Sequence, residues 1–100
     1  MNIQEQIAPA HKVIRRLCGF PQIERIYLFG SRARGDARAR SDIDLAIACP
    51  KADARVWDDI CKAIEEADTL LKIDVIRLEH AAPDFLHRIM AEGQLLYERK

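Results

Sequence analysis

Apolar positions recur along this chain with two periods, and the switches between them mark out its elements. Ile3, Ile7, Ile14 and Leu17 fall at helical spacing and predict a first helix with one apolar stripe. Pro9 interrupts the stripe, so the regular part begins there, with proline in the first turn. Gly19-Phe20-Pro21 closes it. Arg25 to Phe29 is a short apolar strand ending at Gly30, and Ser31 to Arg34 reads as one or two helical turns stopped by Gly35. Asp42 to Cys49 alternates in the manner of a strand until Pro50. Val56, Trp57, Ile60, Cys61 and Ile64 then return to helical spacing behind Asp53, an N-cap residue type. Leu71 to Leu78 is a third strand, and it contains Asp74. Pro83 opens a last helix with Phe85, Leu86, Ile89 and Met90 as its apolar face, and Gly93 ends it. The tail QLLYERK adds a short edge strand. The order αβ(α)βαβα predicts an α/β (α+β) domain, a small sheet covered by helices on at least one face.

One hundred residues suffice for a single domain spanning 1–100. Sixteen acidic and sixteen basic residues balance, so net charge predicts neither a nucleic acid nor a membrane partner. The distribution is less even, since Arg32, Arg34, Arg38 and Arg40 crowd into nine residues with only Asp36 opposing them. Cys18, Cys49 and Cys61 are odd in number, lack CxxC spacing and sit in or beside apolar segments. They read as reduced core thiols of a cytoplasmic protein. The N-terminal stretch has no uninterrupted apolar run of the signal-peptide kind, and no window approaches the roughly eighteen apolar residues of a membrane span.

The acids carry the chemistry. Residues two apart on a strand share a face, so Asp42 and Asp44 point one way with Ala46 and Ala48, and Ile43, Leu45 and Ile47 point the other. On the third strand Asp74 shares a face with Ile76, opposite Ile73 and Val75. If those strands are neighbours, three carboxylates converge, and they repel one another unless a cation offsets them. An all-oxygen set suits Mg²⁺ or Mn²⁺ rather than zinc, and Mg²⁺ takes further ligands from water and substrate phosphates. Gly30-Ser31 supplies the phosphate side: a turn from strand into helix brings N–H groups and a hydroxyl to an anion. There, a Cβ at position 30 is expected to hold the phosphate away.

The segment LFGSRARGDARARSDIDLAIA, with Asp74 in KIDVI, resembles the nucleotidyltransferase superfamily that includes DNA polymerase beta. It is more narrowly similar to the minimal, MNT-type nucleotidyltransferases of prokaryotes, which are about this size. The resemblance rests on Gly30-Ser31, the Ala-Arg-Gly at 33–35, Ser41-Asp42-Ile43-Asp44-Leu45 and Asp74. It implies a polymerase-beta-like palm, a small mixed sheet with helices packed on one face. It also implies two Mg²⁺ ions, with Mn²⁺ as a substitute, held by Asp42, Asp44 and Asp74, and ATP bound through Gly30 and Ser31; Arg32, beside that turn and of a type suited to phosphate, is a further candidate for nucleotide contact. Arg34 is a weaker candidate for phosphate contact, and Arg38 and Arg40 read as surface or partner-facing charges.

Such a small palm has little of its own with which to grip an acceptor. By resemblance the partner is a HEPN-type toxin, and the activity is transfer of AMP to a tyrosine hydroxyl of it, in the role of antitoxin. Two rival readings are an antitoxin that neutralises by contact alone and a small-molecule, aminoglycoside-type nucleotidyltransferase completed by a partner subunit. His11, His80 and His87 are not spaced as ligands, Trp57 fits a core stripe, and Tyr27 suits packing. Cys49 lacks a base to make it a nucleophile.

Overall fold

A computed structural model describes residues 8–35, 42–67, 69 and 71–99. Ile3, Ile7, Asp36, Arg38, Arg40 and Ser41 lie outside the described residues. The helices are α1 (His11–Leu17), α2 (Ser31–Arg34), α3 (Ala54–Glu65) and α4 (Pro83–Glu92), and the strands are β1 (Arg25–Phe29), β2 (Ile43–Ala48), β3 (Ile73–Arg77) and β4 (Gln94–Glu98). Single 3-10 turns occupy Ala8–Ala10 and Leu78–His80. The boundaries follow local chemistry. The Asp53 carboxylate accepts from the Val56 N–H at 2.9 Å and caps α3. Proline opens α4, and Gly35, at φ +82°, ends α2 in the left-handed region.

The four strands form one mixed sheet in the order β3-β2-β1-β4. β1 pairs antiparallel with both β2 and β4, and β2 pairs parallel with β3, joined through α3. The C-terminal tail therefore forms the edge strand beside β1. Arg99 ties it down by donating to the carbonyls of Ile23 at 3.2 Å and Phe20 at 3.1 Å.

Strand alternation separates two packed layers. Ile26, Leu28, Ile43, Leu45 and Ile47 bury one face against Val13 and Leu17 of α1 and Ile60 and Ile64 of α3. On the opposite face Ala46 and Ala48 pack with Leu78 and with Ile89 of α4, flanked by Tyr27, Phe29, Ile76 and Leu86. The expectation of helices on one face thus holds for α1 and α3, while α4 covers part of the other. Two alanines make that part of the sheet shallow enough for a helix to approach. The apolar face of α4 is narrower than its sequence suggests: Ile89 is buried, but Phe85 and Met90 are 37% and 43% exposed. No helix among the described residues is long and apolar enough to cross a membrane.

Candidate nucleotide and metal site

The site lies where β1 ends and β2 and β3 begin. Phe29 is the register partner of Asp44 across β1 and β2, and Asp44 is the partner of Asp74 across the parallel pair. Asp44 and Asp74 thus stand side by side on the face that carries Ala46 and Ile76. Asp42 is exposed one residue ahead of β2. Burial pushes the Asp44 carboxyl above its ordinary range, and the negative charges of Asp74 and Asp42 push it further, while Arg34 and Lys72 pull it down. Both neighbouring aspartates thus act on Asp44.

They do not close into a ready-made ligand set. Among the described residues no three His, Cys, Asp or Glu side chains form a group that could hold a metal ion. Asp74 is instead paired with Lys72, Nζ to Oδ1 at 3.4 Å, with both side chains well exposed. Lys72 precedes Asp74 by two residues and so emerges on the same face. That alternation is the signal by which the sequence could have placed it here.

Gly30 adopts φ +75° and ψ −157°, a region that only glycine enters freely. A Cβ built on it would overlap the Asp44 carboxylate. The sequence assigns this glycine to making room for a phosphate; what it makes room for in the fold is Asp44. Its carbonyl accepts from the N–H groups of Ala33 at 3.1 Å and Arg34 at 3.2 Å, which turns the chain directly from β1 into α2. Ser31, half-buried, is the first residue of that short helix. Arg32 is only 5% exposed, so it belongs to the interior beneath this turn rather than to the open surface. Arg34 is exposed and reaches Glu92 of α4, Nη1 to Oε2 at 3.6 Å.

That ion pair crosses a cleft between the end of β1 and α4, lined by Phe29, Gly30, Arg34, Phe85, Arg88, Ile89 and Glu92. Phe29 and Phe85 meet edge to face with centroids 5.6 Å apart. The α4 contribution is hard to see in sequence because positions 88 and 92 are charged. Yet 85, 88, 89 and 92 share one helix face by their spacing.

The remaining conspicuous residues keep structural places. His11, His80 and His87 are exposed, and all three cysteines are free. Cys49 is buried, its N–H donates to Glu79 Oε1 at 3.0 Å, and burial pushes its thiol up to about 11. Trp57 packs against the core beneath the Arg77 guanidinium, 5.8 Å from the ring centre. The Tyr27 hydroxyl accepts from Arg25 at 3.1 Å.

A Gly-Ser turn leaves one strand beside aspartates on the next two, as the resemblance to nucleotidyltransferases leads one to expect. The family model described as Polymerase beta, Nucleotidyltransferase matches residues 11–100, and the chain belongs to that family. It is 30% identical over 96 residues to the protein adenylyltransferase MntA of Aphanizomenon flos-aquae (strain 2012/KM1/D3), over 85% of this chain and 63% of the relative. The chain thus spans less than two thirds of that relative's length. Its fold is similar to a chain of a toxin-antitoxin crystal structure with AMP-PNP, at 24% identity and TM-score 0.65, covering 100% of this chain and 76% of the other. It is similar also to a chain of the tri-AMPylated Shewanella oneidensis HEPN toxin in complex with MNT antitoxin, at 22% identity and TM-score 0.61, covering 98% and 74%.

Proposed function

We propose that this protein is a cytoplasmic adenylyltransferase that moves AMP from ATP to a hydroxyl, a tyrosine's, on a HEPN-type toxin and thereby acts as its antitoxin. The observation that carries the reading is the abutment of Gly30 on Asp44, with Asp74 in register alongside. It joins a phosphate-type turn to paired carboxylates. The name of the MntA relative and the AMPylated toxin bound by an MNT antitoxin supply the acceptor class.

The donor set is all carboxylate oxygen, and Asp44 bears negative charge from two neighbours that Arg34 and Lys72 offset only in part, so the residues fit Mg²⁺ or Mn²⁺. Asp42 and Asp44 would hold two such ions, with Asp74 completing the second site once it exchanges Lys72 for metal. Bound there, such ions would neutralise charge on the attacking and leaving oxygens. Gly30 and Ser31 receive the β and γ phosphates, and Arg32 adds positive charge from beneath them. The acceptor oxygen bonds to the α phosphorus as the bond to the bridging oxygen breaks and pyrophosphate departs. The hydroxyl proton passes to an Asp74 carboxylate oxygen.

The Lys72–Asp74 ion pair favours one second reading, an antitoxin that neutralises its partner by contact. Incubation with Mg²⁺, each nucleoside triphosphate and the product of the neighbouring gene, followed by intact-mass measurement, separates the two. Transfer predicts an adenylyl adduct on the partner, lost in Asp42→Asn/Asp44→Asn. Absence of any adduct under every combination, with neutralisation retained by the double variant, would leave only contact.

A further inference from the structure

The face of α4 that borders the cleft carries two exposed charges beside the buried Ile89, and they have different fates. Glu92 is matched by Arg34 across the cleft, at 3.6 Å. Arg88, one turn earlier, makes no ion pair among the described residues. Both line a cleft that has Gly30 in its wall and the edge-to-face pair of Phe29 and Phe85 behind it. Among the described residues its charged lining is Arg34 and Arg88 against Glu92, two positive groups and one negative, beside the turn that leads into Ser31. A guanidinium placed on an apolar wall and left without a carboxylate is suited to an anion that arrives with a ligand, and its fork matches phosphate oxygens two at a time.

We propose that Arg88 binds the terminal phosphates of the nucleoside triphosphate, closing over from α4 the phosphates that Gly30 and Ser31 hold from below. The inference rests on the functional reading above and adds to it a residue from a different element. α4 thereby distinguishes a triphosphate from a monophosphate. The Arg34–Glu92 pair spans the same cleft, and the two phenylalanines form one of its walls.

Calorimetric titration of the full chain with MgATP, inorganic triphosphate with Mg²⁺, and AMP tests this. Arg88→Gln, which keeps the helix and the side-chain stem, is expected to weaken MgATP and inorganic triphosphate about tenfold or more, the loss of one charged phosphate contact. AMP affinity stays within twofold, and Arg88→Lys recovers part of the loss. Arg55→Ala, on the exposed start of α3, leaves all three unchanged. MgATP binding by Arg88→Gln within twofold of the unsubstituted protein, or an equal loss for AMP, overturns the proposal and leaves the function standing. Failure of the unsubstituted protein to bind any nucleoside triphosphate overturns both.

Discussion

Gly30 lies against Asp44 so closely that a methyl group on the glycine would occupy the space of a carboxylate oxygen. One residue thus sets both the turn and the position of an acid that stands in register with Asp74 on the next strand. Gly35, five residues on, has nearly the same φ but the ψ of an ordinary left-handed turn, +9° against −157°, and no atom of the described residues within 4 Å of where a methyl group would sit. The two positions therefore differ both in backbone and in surroundings. Gly35→Ala is expected to cost only the left-handed backbone, about 1–2 kcal/mol in urea unfolding. Gly30→Ala adds a glycine-only backbone and displacement of Asp44, so it costs more and also abolishes nucleotide transfer. Equal stability losses in the two variants, with transfer intact in both, would contradict this.

Asp44 carries a stability cost. Its folded carboxyl titrates above the usual 3.8, because of burial first and then Asp74 and Asp42. The unfolded chain releases that proton more readily, so this group's contribution is fully present below 3.8 and is lost as pH rises through the folded value. At neutral pH the ionised acid therefore destabilises the fold. Asp44→Asn should raise Tm at about pH 7 and flatten its dependence above about pH 4, in scanning calorimetry without divalent ions. The same variant should lose transfer on the order of 10²-fold or more. A lower Tm for Asp44→Asn at neutral pH would mean that the acid is held by favourable contacts instead.

Much of this was legible in the chain because alternation is a strict code. Ile43, Leu45 and Ile47 had to face the core, which put Asp42 and Asp44 opposite, and Ile73 and Val75 did the same for Asp74. The neighbourhood of β2 and β3 is a conditional in the sequence and a parallel register in the fold. Three features were not legible. The side on which α4 packs depends on Ala46 and Ala48 offering a shallow surface, which no periodicity within α4 encodes. The burial of Arg32 contradicts the usual place of arginine, and only tertiary packing decides it. Lys72 is inconspicuous because a lone lysine ahead of a strand is ordinarily a solvated charge, yet here it faces Asp74.

Arg77 locks the site-bearing strands from behind. Its Nη2 donates to the carbonyls of Cys49 at 2.9 Å and Ala52 at 2.7 Å, its Nε reaches Glu79 at 3.4 Å, and its side chain is 12% exposed. Those carbonyls belong to the turn that leaves β2 for α3; that of Cys49 also accepts from the Ala52 N–H at 3.1 Å, while among the described residues Arg77 is the donor to that of Ala52. Arg77→Ala leaves the Ala52 carbonyl unsatisfied and removes the cation beside Glu79, which keeps the Cys49 N–H, and should cost about 1–3 kcal/mol in urea unfolding. Arg77→Lys should recover less than half, since one ammonium cannot reproduce the fork over Trp57. Full recovery by lysine would show that charge alone matters there.

The thiols give a final check on the interior. Burial pushes Cys49 up to about 11, against the lowering effect of Arg77, while Glu79 adds to the rise. At about pH 8 the thiolate is then about a thousandth of the population, and the thiol itself is inaccessible. Iodoacetamide at that pH should leave Cys49 unmodified in the native protein, with Cys18 and Cys61, both half-buried and raised less far, reacting slowly. In denaturant all three should react together, as read by peptide mass. Because none of these sulfurs faces the aspartates, alkylation of Cys18 and Cys61 should leave MgATP affinity unchanged. Rapid native labelling of Cys49 would mean that the turn held by Arg77 and Glu79 opens, and with it the foundation of β2 on which Asp44 stands.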